Sequence, residues 1–480
     1  LSVAPEKTGC KLIITDNSAS GNGYLMNQWA YDGDLLCATV TKGELILQGG
    51  GLKVNNTSAA KNAIGVKTSG TGVFTMTGGT IESKKVKPTG GTTDITGGTA
   101  SGVYCYSTTN LSGGTIKATN AKGSAIGVHV MYNSFKTELS DELHVITNGS
   151  QSYGVYGYGT VDVSGGTYDV TSELTSPATW TTARGICMFS SSTNYGKATV
   201  TGNPVFNVNG NTGGAYGVFT YQNANVETVV EGGTFNVYAT NGSMACGVTA
   251  YTSGVSTVKG GTFNCEVKTS GYDNAFGVYV QQAGTVNVEG GTFNVTAPTD
   301  GGNNDAVRIS GHSTDNTAVL NISGGTFTMT KGGYALRSFG GTTNITGNPV
   351  FTARNGIDVA SWAGATCTAT VVVDGGTFNA TVGNAVRCYT TNTVKNAGKE
   401  TEYTDVVTGD LTIWDGKFHS TTSTLPVVDL YSSSTNTTTT SNIKIRGGWF
   451  STYTSSNVDK LNQYVVSPST PEGVADGTTE

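Results

Sequence analysis

The sequence predicts an all-β chain folded as a right-handed parallel β-helix of roughly thirteen coils. Residues 1–47 form an N-terminal cap, 48–452 the solenoid, and 453–480 a C-terminal cap or linker tail. Three observations predict it. Gly-Gly-Thr followed by an aromatic or aliphatic residue recurs from Gly78-Gly79-Thr80-Ile81 to Gly375-Gly376-Thr377-Phe378, most often at roughly 30-residue spacing, a solenoid period. Apolar and polar residues alternate on both sides of each glycine pair, which is strand period. No helical period runs anywhere along the 480 residues.

One coil illustrates the build. Val286 and Val288 alternate with Asn287 and Glu289, Gly290-Gly291 interrupts, and Phe293 and Val295 alternate with Thr292 and Asn294. This reads as two short strands joined at a glycine corner, where the chain bends and backbones approach closely. A third strand follows, typified by Ala125-Ile126-Gly127-Val128 and Ala275-Phe276-Gly277-Val278. The inward column after the corner reads Tyr168, Phe206, Phe235, Phe263, Phe293, Phe327, Phe351, Phe378, Phe418 and Phe450. Stacked rings there bury much apolar area and favour one register. Beside it, Asn207, Asn236, Asn264, Asn294, Thr328, Thr352 and Asn379 are expected to hydrogen-bond from coil to coil.

The ends differ. Residues 1–47 lack the repeat and carry Tyr24, Trp29 and Tyr31, which suits a cap. The segments 172–183 and 392–404 lengthen individual coils, and the tail holds Pro468 and Pro471. An uncapped parallel stack exposes strand edges and invites end-to-end addition.

Composition narrows the function. Charged residues are 12% of the chain, about half the usual share, so self-repulsion against assembly is weak. A net charge of -6 without a basic cluster argues against nucleic acid. No apolar run is long enough to span a bilayer as a helix. The chain begins at Leu1, which reads as a processed mature form. The Cys count of 8 is even, and Cys10 with Cys37 is the candidate disulfide staple. Cys105, Cys246 and Cys388 read as small buried hydrophobes.

The Gly-Gly-Thr-Phe coils resemble the pectate-lyase-like right-handed β-helix superfamily, and are closest to its repeat-rich members on Gram-positive bacterial surfaces. Ile445-Arg446-Gly447-Gly448-Trp449-Phe450-Ser451 resembles the closing unit of such proteins. The resemblance spans roughly residues 48–466 and implies an extracellular location at the cell surface. Enzymes of that superfamily need clustered carboxylates, for calcium or for acid/base work. Here Asp and Glu are dispersed. The densest stretch, Asp300 to Arg308, lacks an EF-hand pattern and reads as a polar turn. His129, His144, His312 and His419 are single and far apart. No catalytic residue, cofactor or metal is expected.

One column carries candidate contacts. The residue after the inward Val of the third strand is expected to point outward. That column reads Lys67, Tyr104, His129, Tyr156, Cys187, Phe219, Thr249, Tyr279, Arg308, Arg337, Asp358, Arg387 and Asp429. Its aromatics suit sugar rings, a subunit contact, or plain surface cover. Its Arg and Asp residues pair as an ion ladder or grip acidic sugars. The expected function is a non-enzymatic extracellular structural protein that self-associates into a fibre or layer. The alternative is a polysaccharide-binding module or adhesin using this Tyr/Arg column. A polysaccharide lyase and a phage spike are remoter readings.

Overall fold

The computed structural model describes residues 1–466 except 7–8, 17–22, 30–32, 59–60, 87–96, 133, 174–180, 192, 212, 241–243, 270–273, 301–303, 311–316, 360–367, 391, 395–402, 406–407, 422–426, 433–441 and 452–464. The expected tail over 453–480 therefore lies almost wholly outside the described residues. Among the described residues every regular element is a β-strand. The chain divides into two compact units, Leu1–Ala245 with Val267–Tyr272, and Cys246–Glu266 with Asp273–Glu480.

In each unit, strands pair in parallel with the equivalent strands of the next coil. In the first unit Thr160–Val163, Thr167–Ser172 and Thr182–Met188 pair with Lys197–Val200, Val205–Gly210 and Gly214–Tyr221. In the second, Thr285–Val288, Thr292–Thr296 and Asp305–Ser310 pair with Val319–Ile322, Thr326–Thr330 and Tyr334–Ser338. Three strands per coil and a fixed register are what the glycine-flanked alternation predicts.

Each glycine of a pair answers a different constraint. A Cβ on Gly290 would lie 2.4 Å from the Lys259 carbonyl oxygen of the neighbouring coil. Gly291 turns the corner at φ 95°, a conformation that L side chains rarely adopt. With the corner fixed, the next residue but one enters the core. Tyr168, Phe206 and Phe235 are fully buried in the first unit, with centroids 4.3 and 4.8 Å apart and ring planes within 12°. In the second unit Phe263, Phe293, Phe327, Phe351, Phe378, Phe418 and Phe450 continue the pattern at 4.6–5.1 Å. Each fully buried ring contributes about 1.5–3 kcal/mol.

The polar columns form as the sequence suggests. Asn207 donates to Asp169 at 2.8 Å and Asn236 to Asn207 at 2.9 Å. In the second unit Asn294 donates to Asn264 at 2.9 Å and Asn379 to Thr352 at 3.4 Å. A further ladder that sequence reading missed links Asn321 to Asn287 and Asn344 to Asn321, at 2.8 and 2.9 Å.

Residues 1–47, expected as a cap, hold coil strands. Ser2–Val3, Lys11–Ile14 and Tyr24–Trp29 pair in parallel with Leu35–Val40, Glu44–Leu47 and Gly51–Asn56. The glycine corner motif is lost there, yet alternation survives in Leu45 and Leu47, which are fully buried. The segment 392–404 contains a small antiparallel pairing, Asn392–Val394 with Tyr403–Asp405.

Gly291→Ala is expected to lower stability by about 1–3 kcal/mol through backbone strain at positive φ. Gly290→Ala is expected to cost at least as much, because the added methyl meets a carbonyl. Thermal unfolding followed by circular dichroism checks both, and an unchanged midpoint for Gly290→Ala would refute the close-approach argument.

Candidate functional site

The candidate column lies on the third strand of each coil, and the alternation of that strand is broken. Tyr153 and Tyr156 stand three residues apart, which puts them on opposite faces of a regular strand. Their rings nevertheless meet at 4.5 Å. The break falls at Gly154-Val155. A Cβ on Gly154 would lie 3.2 Å from the core side chain of Val170, and Val155 is fully buried. Both residues are turned inward, so the outward face carries residues three apart. Phe276 and Tyr279 repeat this at 4.7 Å, and Tyr216 and Phe219 at 5.1 Å.

The outward face therefore holds a row before the break, the expected column after it, and a third row two residues further on. The expected column is largely covered, not exposed as anticipated. His129, Phe219, Arg308, Arg337 and Asp358 are each at most 9% exposed. Cys187 and Thr249 are fully buried. Tyr104, Tyr156, Tyr279 and Arg387 are half-buried. The physical reason is lateral packing between rows. His129 sits 4.3 Å from Tyr104 and 5.1 Å from Tyr156. The side chain of Asp429 lies outside the described residues.

In the second unit the column is an ion ladder. Asp305, in the row before the break, receives Arg308 Nε at 2.6 Å and Nη2 at 2.5 Å. Its other oxygen faces Arg337 Nη2 at 3.3 Å. Asp358 stands 3.6 Å from Arg337 Nε and 3.2 Å from Arg387 Nε. Arg387 also donates to the Tyr334 hydroxyl. Burial pushes the Asp358 carboxyl up to about 8, against the pull of Arg337. Arg308 stacks over Phe276 at 4.5 Å and Arg337 over Tyr334 at 4.2 Å. Of the two readings of these arginines, internal pairing is the one the geometry forms. Asp300 and Asp305 part company: Asp300 meets Arg354 at the surface at 3.2 Å, while Asp305 is fully buried.

In the first unit the face is aromatic. Tyr104, His129, Tyr156 and Phe219 pack under a third row of Tyr106, Tyr132, Tyr158, Phe189 and Tyr221. Tyr156 meets Phe189 at 4.7 Å, and Phe219 meets Tyr221 at 5.4 Å. Sequence reading missed this row, although Tyr106, Tyr158, Phe189 and Tyr221 each stand two residues after a member of the expected column.

The expected staple between Cys10 and Cys37 is absent, and both thiols are free. Cys10 is exposed beside the strand Lys11–Ile14, whereas Cys37 is turned in and donates to the Leu25 carbonyl at 3.4 Å. Cys105, Cys246 and Cys388 are buried, as expected. Among the described residues no group of three or more His, Cys, Asp or Glu is arranged to hold a metal ion. No described helix is long and apolar enough to cross a membrane.

Comparison of the chain with protein-family models, curated proteins and solved structures finds no match.

Asp305→Asn leaves the buried Arg308 guanidinium without its carboxylate and is expected to cost about 3–5 kcal/mol in an unfolding titration. Asp300→Asn, at an exposed pair, is expected to cost under about 1 kcal/mol. His129 is buried, and burial pulls its imidazole down to about 3. The unfolded chain takes up that proton first, near pH 6.5, so stability is present above 6.5 and is lost as pH falls toward 3. Lowering pH from 7 to 4.5 is expected to cost about 3 kcal/mol. His129→Phe should flatten that acid limb, and an unchanged limb would show that other groups carry it.

Proposed function

We propose that this chain is a non-enzymatic extracellular structural protein, a right-handed parallel β-helix of roughly thirteen coils that self-associates through its coil ends into a fibre or layer. The observation that supports this most is the edge of the first coil. Ser2–Val3, Lys11–Ile14 and Tyr24–Trp29 each pair with a strand on one side only among the described residues. That edge also displays Leu12, Ile13, Tyr24, Leu25 and Met26, each 37–55% exposed. Unpaired backbone flanked by apolar side chains is a template for a further parallel coil. A second copy of the chain supplies a coil of the required spacing.

The non-catalytic part of the reading is supported by how the chemistry-bearing groups are spent. Asp305 and Asp358 are committed to arginines, His129 is buried among tyrosines, and His144 pairs with Asp169 at 2.6 Å. The extracellular part rests on the resemblance of the Gly-Gly-Thr-Phe coils alone, since the described cysteines are free.

Analytical ultracentrifugation and electron microscopy of the 480-residue chain test this. Concentration-dependent end-to-end assembly is expected, weakened at least about tenfold by Ile13→Lys with Leu25→Lys. A monodisperse monomer at the highest attainable concentration would sink the proposal.

A further inference from the structure

The third aromatic row of the first unit is built like a binding platform. Tyr132 is 41% exposed, and Tyr106, Tyr158, Phe189 and Tyr221 are half-buried. Centroids of Tyr106 and Tyr132 are 5.3 Å apart, those of Tyr158 and Phe189 5.2 Å, and those of Phe189 and Tyr221 5.8 Å. Rings of the covered column back them, as Tyr104 backs Tyr106 at 5.1 Å and Tyr156 backs Phe189 at 4.7 Å. Backed rings lose little freedom when a ligand lands on them.

The second observation is a cation that the fold does not neutralise. Arg184 lies in the row before the break, with its guanidinium 4.3 Å from the Phe219 ring and 5.6 Å from those of Tyr153 and Tyr216. Its Nη1 donates to the Tyr153 hydroxyl at 3.3 Å and to Cys187 Sγ at 3.9 Å. Its Nε is buried without a hydrogen bond, and no carboxylate among the described residues pairs with it. Arg308, at the equivalent face of the other unit, has Asp305 at 2.5 Å. Phe219 touches both Arg184 and Tyr221, so the cation and the third row form one patch. At the other end Lys67 stands over Tyr106 at 5.3 Å.

Aromatic faces suit the apolar faces of sugar rings, tyrosine hydroxyls suit their hydroxyl groups, and an uncompensated guanidinium in low dielectric suits an acidic group. We propose that this face of the first unit binds an anionic polysaccharide, with sugar rings on Tyr158, Phe189 and Tyr221 and an acidic group against Arg184. The proposal stands whether or not the chain assembles through its ends.

Isothermal titration of the full chain tests it. Oligogalacturonate and hyaluronan oligomers offer carboxylates, dextran sulfate offers sulfates, and dextran offers neither. Binding to a charged glycan is expected, weakening as salt is raised. Tyr132→Ala and Tyr158→Ala should each weaken it by about tenfold. Arg184→Met should abolish it and Arg184→Lys should retain part of it. If Arg184→Met fails to fold, the two tyrosine variants, at accessible rings, decide. The proposal is overturned if no charged glycan binds, if dextran binds equally well, or if the tyrosine variants bind unchanged. Tyrosine variants that shift only the oligomeric state would assign the row to a second copy and overturn it equally.

Discussion

Everything in this chain depends on the close approach of one coil to the next at the glycine corner. Parallel strands hydrogen-bond at about 4.8 Å, and a side chain at Gly290 would have to occupy the space of the Lys259 carbonyl oxygen. With the corner fixed, the backbone repeats without slippage. A residue that enters the core in one coil then sits over its counterpart in the next. The phenylalanine stack and the asparagine ladders are consequences of that repetition. They reinforce register, because slipping one residue would exchange apolar for polar columns.

The repetition also governs the outside of the coil. At Gly154-Val155 two successive residues face in, so residues three apart share the outer face. The outer side chains then pack sideways in three rows. Burial on this face comes from neighbouring rows, which explains why Arg308, at 3% exposed, is less accessible than many core-flanking polar residues. A guanidinium so placed requires a carboxylate within the same face, and Asp305 provides it.

What was legible in the sequence follows from this. Columns set by strict alternation were readable, as Phe293 and Phe327 show, because the inward position sits a fixed two residues after the corner. The Asn294–Asn264 pair was readable for the same reason. Cover over the outward column was not, since it depends on a break in alternation and on partners such as Tyr153 and Tyr156 that a two-residue period places on opposite faces. Asp305 looked like part of a turn because its partner, Arg308, lies across that break. Cys10 and Cys37 looked like a staple because sequence shows their proximity in number, not that one thiol faces solvent and the other the core. Ile13 and Leu25 looked like parts of a cap because the corner motif is missing there.

Function on such a wall is a matter of which row is outermost. A residue of the covered column can tune charge and stability, but a large ligand meets the row beyond it first. In the second unit Arg308 and Arg337 are paired within the covered and preceding rows, to Asp305 and Asp358, so they have little left to offer a ligand. In the first unit Arg184 lies among Tyr153, Tyr216 and Phe219, and aromatic quadrupoles offset only part of a half-buried positive charge. The same backbone geometry thus produces a self-satisfied face and an unsatisfied one. The difference lies in the carboxylates: Asp305 and Asp358 stand beside the arginines of the second unit, whereas Arg184 has aromatic rings and a thiol around it.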